Sequence, residues 1–158
     1  MIRITVNGAE QLVELMKLIP NRMRLALLTA VRDSAIVIQS IAKKNAPVYR
    51  GLLRASIVQT VQTEGNKIAG QVGSALPYAK VIEFGRTAGW MPNIDQLRLW
   101  SRRKLKDEHA GFAVARAISR RGFRAQPYLE PAMEEAEPRI SLIFAARILE
   151  AVSQAGGA

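Results

Sequence analysis

The stretch Asn45–Ile57, "NAPVYRGLLRASI", decides how the chain is read. It sets Pro47 and Gly51 four residues apart, with Arg50 and Arg54 around the glycine, at the junction of two apolar patterns. A glycine among arginines can be a loop that grips phosphate, or a corner where the chain changes direction. A nucleotide phosphate loop needs a second glycine, a lysine followed by Ser or Thr, and a strand in front of it. This stretch has one glycine and no such lysine, and it follows a helical pattern. It therefore reads as a structural corner. Pro47 ends the preceding helix, because the residue before a proline is pushed out of the α region. Gly51 supplies a backbone conformation other residues avoid, and Leu52, Leu53 and Ile57 bring the chain back to the core.

Upstream lies the strongest helical signal. From Asn21, an expected N-cap, to about Lys44, residues Leu27, Val31, Ser34, Ile38 and Ile41 recur at helical spacing, and Leu28, Ala35 and Ala42 widen the stripe. Arg24, Arg32, Gln39, Lys43 and Lys44 are left for solvent. Before it, Ile2, Ile4 and Val6 alternate as a short strand, Asn7-Gly8 marks a turn, and "AEQLVELMKLI" reads as a short amphipathic helix ended by Pro20.

Downstream, residues 56–74 alternate as two strands around "EGN", which predicts a β-hairpin. "PYAKVIEFG" at 77–85 has Pro at its start and Gly at its end, the asymmetry of a short helix. Residues 86–93 form a loop with Trp90 and Pro92. Asn93 and Gln96 form a capping box before a helix carrying Ile94, Leu97, Trp100 and Leu105 on one face. A further helix runs from about Gly111 to Arg121 and stops at Gly122. "RAQPYLEP" at 124–131 is extended and can add a strand. The rest is helical, with a kink or break expected at Pro138 and with Leu142, Ala145, Leu149 and Val152 on one face; "QAGGA" should fray. The expected fold is α+β, a small antiparallel sheet packed on one long helix, with an inserted helical hairpin and a C-terminal helix. One domain is expected: a core at about 1–89 and 125–152, a basic hairpin at about 90–124, and a frayed tail at 153–158.

The 158 residues are enough to bury a core, and about half are apolar. With no cysteine, disulfides, thiolate metal sites and a Cys nucleophile are excluded. No run of about 20 uninterrupted apolar residues marks a spanning helix, and the alternating start is unlike a signal peptide, so a cytoplasmic protein with no membrane partner is expected. Charge is uneven. The net +10 comprises +6 in residues 1–97, +7 in residues 98–124 and −3 in residues 125–158. A basic middle and an acidic end suit a polyanion partner, head-to-tail contact between copies, or simply a solvated face.

Catalytic chemistry finds little support. His109 is the one histidine, placed in the polar connection "KDEHAG", and no serine has a nucleophile-elbow context. Asp107/Glu108 and Glu134/Glu135 are adjacent pairs whose side chains diverge on a helix. Glu130, Glu134 and Glu137 share a face near the start of the last helix, where they suit its positive end. No enzyme activity, cofactor or metal is expected. Nucleic-acid binding is the rival: Arg102, Arg103, Lys104, Arg116, Arg120, Arg121 and Arg124, with Arg98 and Lys106, could neutralise phosphates or meet an acidic partner. No helix-turn-helix or base-reading set accompanies them. Arg54 is solvated, an ion-pair partner of Glu83, or a subunit contact.

Three stretches in order, "AKKNAPVYRGLLRASI", "YAKVIEFGR" and "QPYLEPAM", resemble the tail-completion or neck proteins of long-tailed bacteriophages, also described as minor tail components of lambda-like phages and prophages. The similarity spans about residues 22–135. Tyr49-Arg50 stands where that family often has Thr, Gln126-Pro127-Tyr128-Leu129 where it favours R-P-F-L, and Arg86 where Thr follows the glycine. The resemblance implies a structural virion role: completing the tail and joining it to the head, as a ring commonly of six copies. It implies head-completion or connector proteins and tail-tube or tail-terminator proteins as partners, and DNA passing through the channel. It also implies assembly in the host cytoplasm and a place at the head–tail interface. Glu83, Phe84, Gly85, Arg86 and Trp90 would then lie at the subunit boundary. The basic hairpin of one copy would meet the acidic 130–137 face of the next.

Overall fold

The computed structural model describes residues 21–156 apart from 49 and 66. The expected strand at 2–6, the helix at 9–19 and Tyr49 of the corner lie outside the described residues. Contacts group the described chain into two units, one formed by the residues up to Leu76 with those from Pro127, the other by Pro77–Gln126.

The first unit is built on helix α1, Asn21–Asn45. Its apolar stripe buries Leu27, Ala30, Ala35, Ile38, Ile41 and Ala42. Ser34, buried in the same stripe, satisfies its hydroxyl by donating to the Ala30 carbonyl at 2.7 Å. By length and composition α1 could cross a membrane; in the fold its buried stripe faces the hairpin and the last helix, while Leu25 and Ile36 stay exposed. As the sequence predicts, α1 stops just before Pro47. A short helix α2, Leu52–Ser56, follows Gly51, whose φ of 73° is left-handed. The hairpin then pairs β1, Ile57–Glu64, with β2, Lys67–Ser74, in antiparallel register from Ile57–Ser74 to Glu64–Lys67.

A two-stranded sheet is marginal alone, and two hydrogen bonds pin this one along α1. Gln39 Nε2 donates to the Ile57 carbonyl at 2.8 Å, and an Arg24 Nη donates to the Gly65 carbonyl at 2.9 Å. Fifteen residues of helix rise about 22 Å and eight of strand about 26 Å, so the anchors fit both elements. Gly70 lets β2 approach closely: a Cβ there would lie 3.1 Å from Val31 Cγ1. Ile57 is fully buried, a contribution of about 1.5–3 kcal/mol. At the corner, the Ser56 and Ser74 hydroxyls are 2.8 Å apart, and Ser74 Oγ accepts from the Leu76 N–H at 3.1 Å.

The last helix of this unit, which becomes α6 in chain order after those of the second unit, spans Glu130–Gly156. It runs antiparallel to α1. Arg22 donates to the Gln154 carbonyl at 3.0 Å, and Arg147 donates through Nε and Nη2 to Asp33 Oδ2 at 3.1 and 2.8 Å. The hydrogen bonds that Arg147 donates, first to the Asp33 carboxylate and then to that of Glu150, hold its guanidinium above its ordinary value.

The second unit contains α3, Ala79–Phe84, then α4, Ile94–Lys104, and α5, Ala110–Arg121. Asn93 caps α4 as the sequence predicts, its Oδ1 accepting from the Asp95 and Gln96 N–H groups at 2.9 and 3.1 Å. The α4–α5 hairpin is tight: Gly111 sits where a Cβ would come within 2.7 Å of Arg98 Cα, and Ser101 is fully buried.

Several expectations are corrected. Residues 124–129 add no strand: the one bridge nearby is that of the preceding Phe123 with Arg86, and Pro127 withholds a donor. Pro138 does not break α6. It lies on the exposed side, where the carbonyl it leaves unpaired can face water. The helix continues to Gly156 through the start of the expected frayed tail; 157 and 158 lie outside the described residues. Leu52, the first residue of α2, and Leu105, the C-cap of α4, are half exposed instead of buried. The α+β class stands, with the hairpin as the only sheet among the described residues.

Candidate interaction surfaces

The corner residues act as the sequence suggests. Pro47 follows the last turn of α1, Gly51 turns the chain, and Leu53 is buried. Arg50 and Arg54 are exposed, so the arginines serve the surface and not the turn.

In the second unit, backbone pairing brings together residues that the sequence keeps apart. Arg86 and Phe123 exchange N–H to carbonyl hydrogen bonds at 2.8 Å in both directions. The Gln126 N–H donates to the Ile82 carbonyl at 2.8 Å, and the Gly89 N–H to the Ser119 carbonyl at 2.8 Å. Residues 82–90 therefore run beside 119–126. The approach is close enough that a Cβ on Gly85 would lie 2.7 Å from the Phe123 carbonyl oxygen, and one on Gly122 would collide with the Arg86 carbonyl. Of the expected boundary residues, Glu83 is buried and Gly85 is committed to this backbone contact, while Phe84, Arg86 and Trp90 are exposed. The Arg86 guanidinium stacks over the Trp90 ring, 4.5 Å from its centroid. Arg120, Arg121 and Arg124, assigned by sequence to a different role, belong to the same neighbourhood and are exposed.

Arg102, Arg103 and Lys104 sit in the last turn of α4, at the other end of the hairpin. There they suit the negative end of the helix dipole, as Arg120 and Arg121 do on α5. Arg116 is exposed between the two clusters. His109 is exposed, with its backbone N–H donating to Asp107 Oδ1 at 2.8 Å. Among the described residues no three His, Asp or Glu side chains gather as a metal-binding group. A groove of about 220 Å³ between α1 and α6 is lined by Arg22, Leu25, Ala26, Thr29, Arg147 and Ala151, among others. Arg22 and Arg147 hold partners across the helix pair, and Glu150 accepts from Arg147 within α6.

On the first unit, α6 buries Ala132, Ala136, Ile140 and Ala151. At about 100° per residue, this puts Leu142, Ala145, Leu149 and Val152 on the opposite side. Leu142 and Leu149 are 70% and 69% exposed. Glu134, Glu135 and Glu137 are exposed nearer the start of the helix. Sequence reasoning found the Leu142 stripe but not its outward direction. A second stripe at the same spacing competes with it, and no local signal says which faces α1.

Residues 9–85 match the family described as "HK97-gp10_like: Bacteriophage HK97-gp10, putative tail-component". Among curated proteins and solved structures nothing matches the chain. The family match takes in α1, the corner, the hairpin and α3, and ends at Gly85, before the basic α4–α5 hairpin and α6.

Proposed function

We propose, from the match of residues 9–85 to the HK97-gp10-like family of bacteriophage tail components, that the chain is a virion protein and a non-enzymatic joint. In this role it completes the upper end of the tail and connects it to the head as a ring, with six copies expected from the family resemblance. The observation that carries this reading is the family match. The exposed, oppositely charged surfaces support it: a +7 segment at residues 98–124 and a −3 segment at residues 125–158 give copies of the chain a way to attract one another. The test is to delete the gene in its phage or prophage and examine the lysate by electron microscopy. The joint reading expects filled heads and separate tails, with joining restored by added purified chain. Normal joined particles, or tails of altered length with joining intact, would contradict it.

A second reading is favoured by one observation: the segment that carries the Arg86–Trp90 stack pairs through its backbone with the segment that carries the exposed Arg120, Arg121 and Arg124. Such a surface suits the phosphates of DNA passing through a ring. Binding of unrelated duplex DNA should then quench tryptophan emission at low salt and fall steeply as salt rises. Salt-insensitive emission on adding DNA would remove this reading.

A further inference from the structure

The outward faces of α5 and α6 have complementary order. On α5, Phe112, Arg116 and Arg120 are exposed at i, i+4 and i+8, so the face runs from apolar to basic. On α6, Glu134, Pro138 and Leu142 are exposed at the same spacing, so the face runs from acidic to apolar, and Ala145, Leu149 and Val152 continue it. Eight residues of helix rise about 12 Å on either element. Laid antiparallel, Arg120 falls against Glu134, Arg116 against the Glu137–Pro138 step, and Phe112 against Leu142. A parallel arrangement would instead put arginine against leucine and phenylalanine against glutamate.

We propose that the α5 face of one copy docks antiparallel on the α6 face of the next, with Arg120–Glu134 and Phe112–Leu142 as its two ends. The occupant of the exposed α6 stripe is thus a second copy of this chain. The inference rests on the ring-forming reading and deepens it by naming the joint. Neither face repeats its own pattern, so the contact is head-to-tail; such a contact closes into a ring when its rotation allows. The apolar end removes water from Leu142, and the charged end sets register and direction. The small flanking residues Ala113 and Ala117 on α5 and Ser141 and Ala145 on α6 leave room for close approach.

The test uses charge reversal in two separate chains, Arg120→Glu and Glu134→Arg. Each alone should weaken self-association at low salt on the order of ten-fold or more, measured by sedimentation. Mixed in equal amounts, the two variants should regain the wild-type mass, because alternating copies then present opposite charges at every joint. Misfolding could not produce that recovery. An independent variant, Leu142→Gln, should weaken association while leaving thermal unfolding of the monomer unchanged. Single variants that associate like wild type, or a mixture no better than its parts, would overturn the joint and leave the tail-component reading standing. A wild-type chain that stays monomeric at all concentrations would overturn both the joint and the ring.

Discussion

Gly51 and Gly85 both carry a positive φ, 73° and 72°, yet they answer to different constraints. A Cβ on Gly51 would meet nothing within 4 Å, so its replacement strains only the backbone. Gly51→Ala should cost about 1 kcal/mol in denaturant unfolding followed by circular dichroism. Gly85 combines that φ with ψ near −170° and a backbone contact that leaves no room for a methyl. Gly85→Ala should therefore cost more, about 3 kcal/mol, read by tryptophan emission because Trp90 and Trp100 both lie within Pro77–Gln126. Equal costs would mean that the 82–90 and 119–126 segments do not pack as described. The turn at Gly51 was legible because a proline, a glycine and the return of apolar residues are local signals. The demand at Gly85 was not legible, since the carbonyl that excludes a side chain belongs to Phe123, distant in sequence.

At the scale of elements, long periodic patterns translated well. The α1 stripe, the hairpin and the Asn93 cap of α4 form as the spacing predicts. Where the sequence misled, two elements competed for one pattern or a partner was needed. The 124–131 stretch reads as extended, but it adds no strand; the preceding Phe123 pairs with Arg86 in one bridge only. On α6, Ala132, Ala136 and Ile140 take the buried side, although the bulkier Leu142 and Leu149 look the better core candidates. Small residues win there because α1 lies alongside, held near its start by Arg22–Gln154 and at its middle by Arg147–Asp33. Stability should separate the stripes. Ile140→Ala should cost about 2–4 kcal/mol, whereas Leu142→Gln should change monomer stability by no more than about 0.5 kcal/mol. Thermal melts showing the reverse order would mean that the faces are exchanged.

For the whole molecule, the candidate surfaces were only half legible. The sequence located the charges, and the resemblance suggested their use between copies. That the segment of Arg86 and Trp90 lies beside the segment of Arg120, Arg121 and Arg124 shows only in the backbone pairing of residues 82–90 with 119–126. A joint built partly from such charges should be sensitive to salt: raising ionic strength from low values to about 0.5 M should weaken assembly, with the apolar Phe112–Leu142 end retaining part of it. The central claim, that the chain works as a closed ring, is tested most directly by native mass spectrometry of the purified protein at low ionic strength. The account predicts one dominant assembly at an integer multiple of 17.4 kDa, six copies being expected, which collapses toward single chains in Arg120→Glu. A single-chain mass at every concentration, or an open ladder of masses with no preferred size, would contradict it.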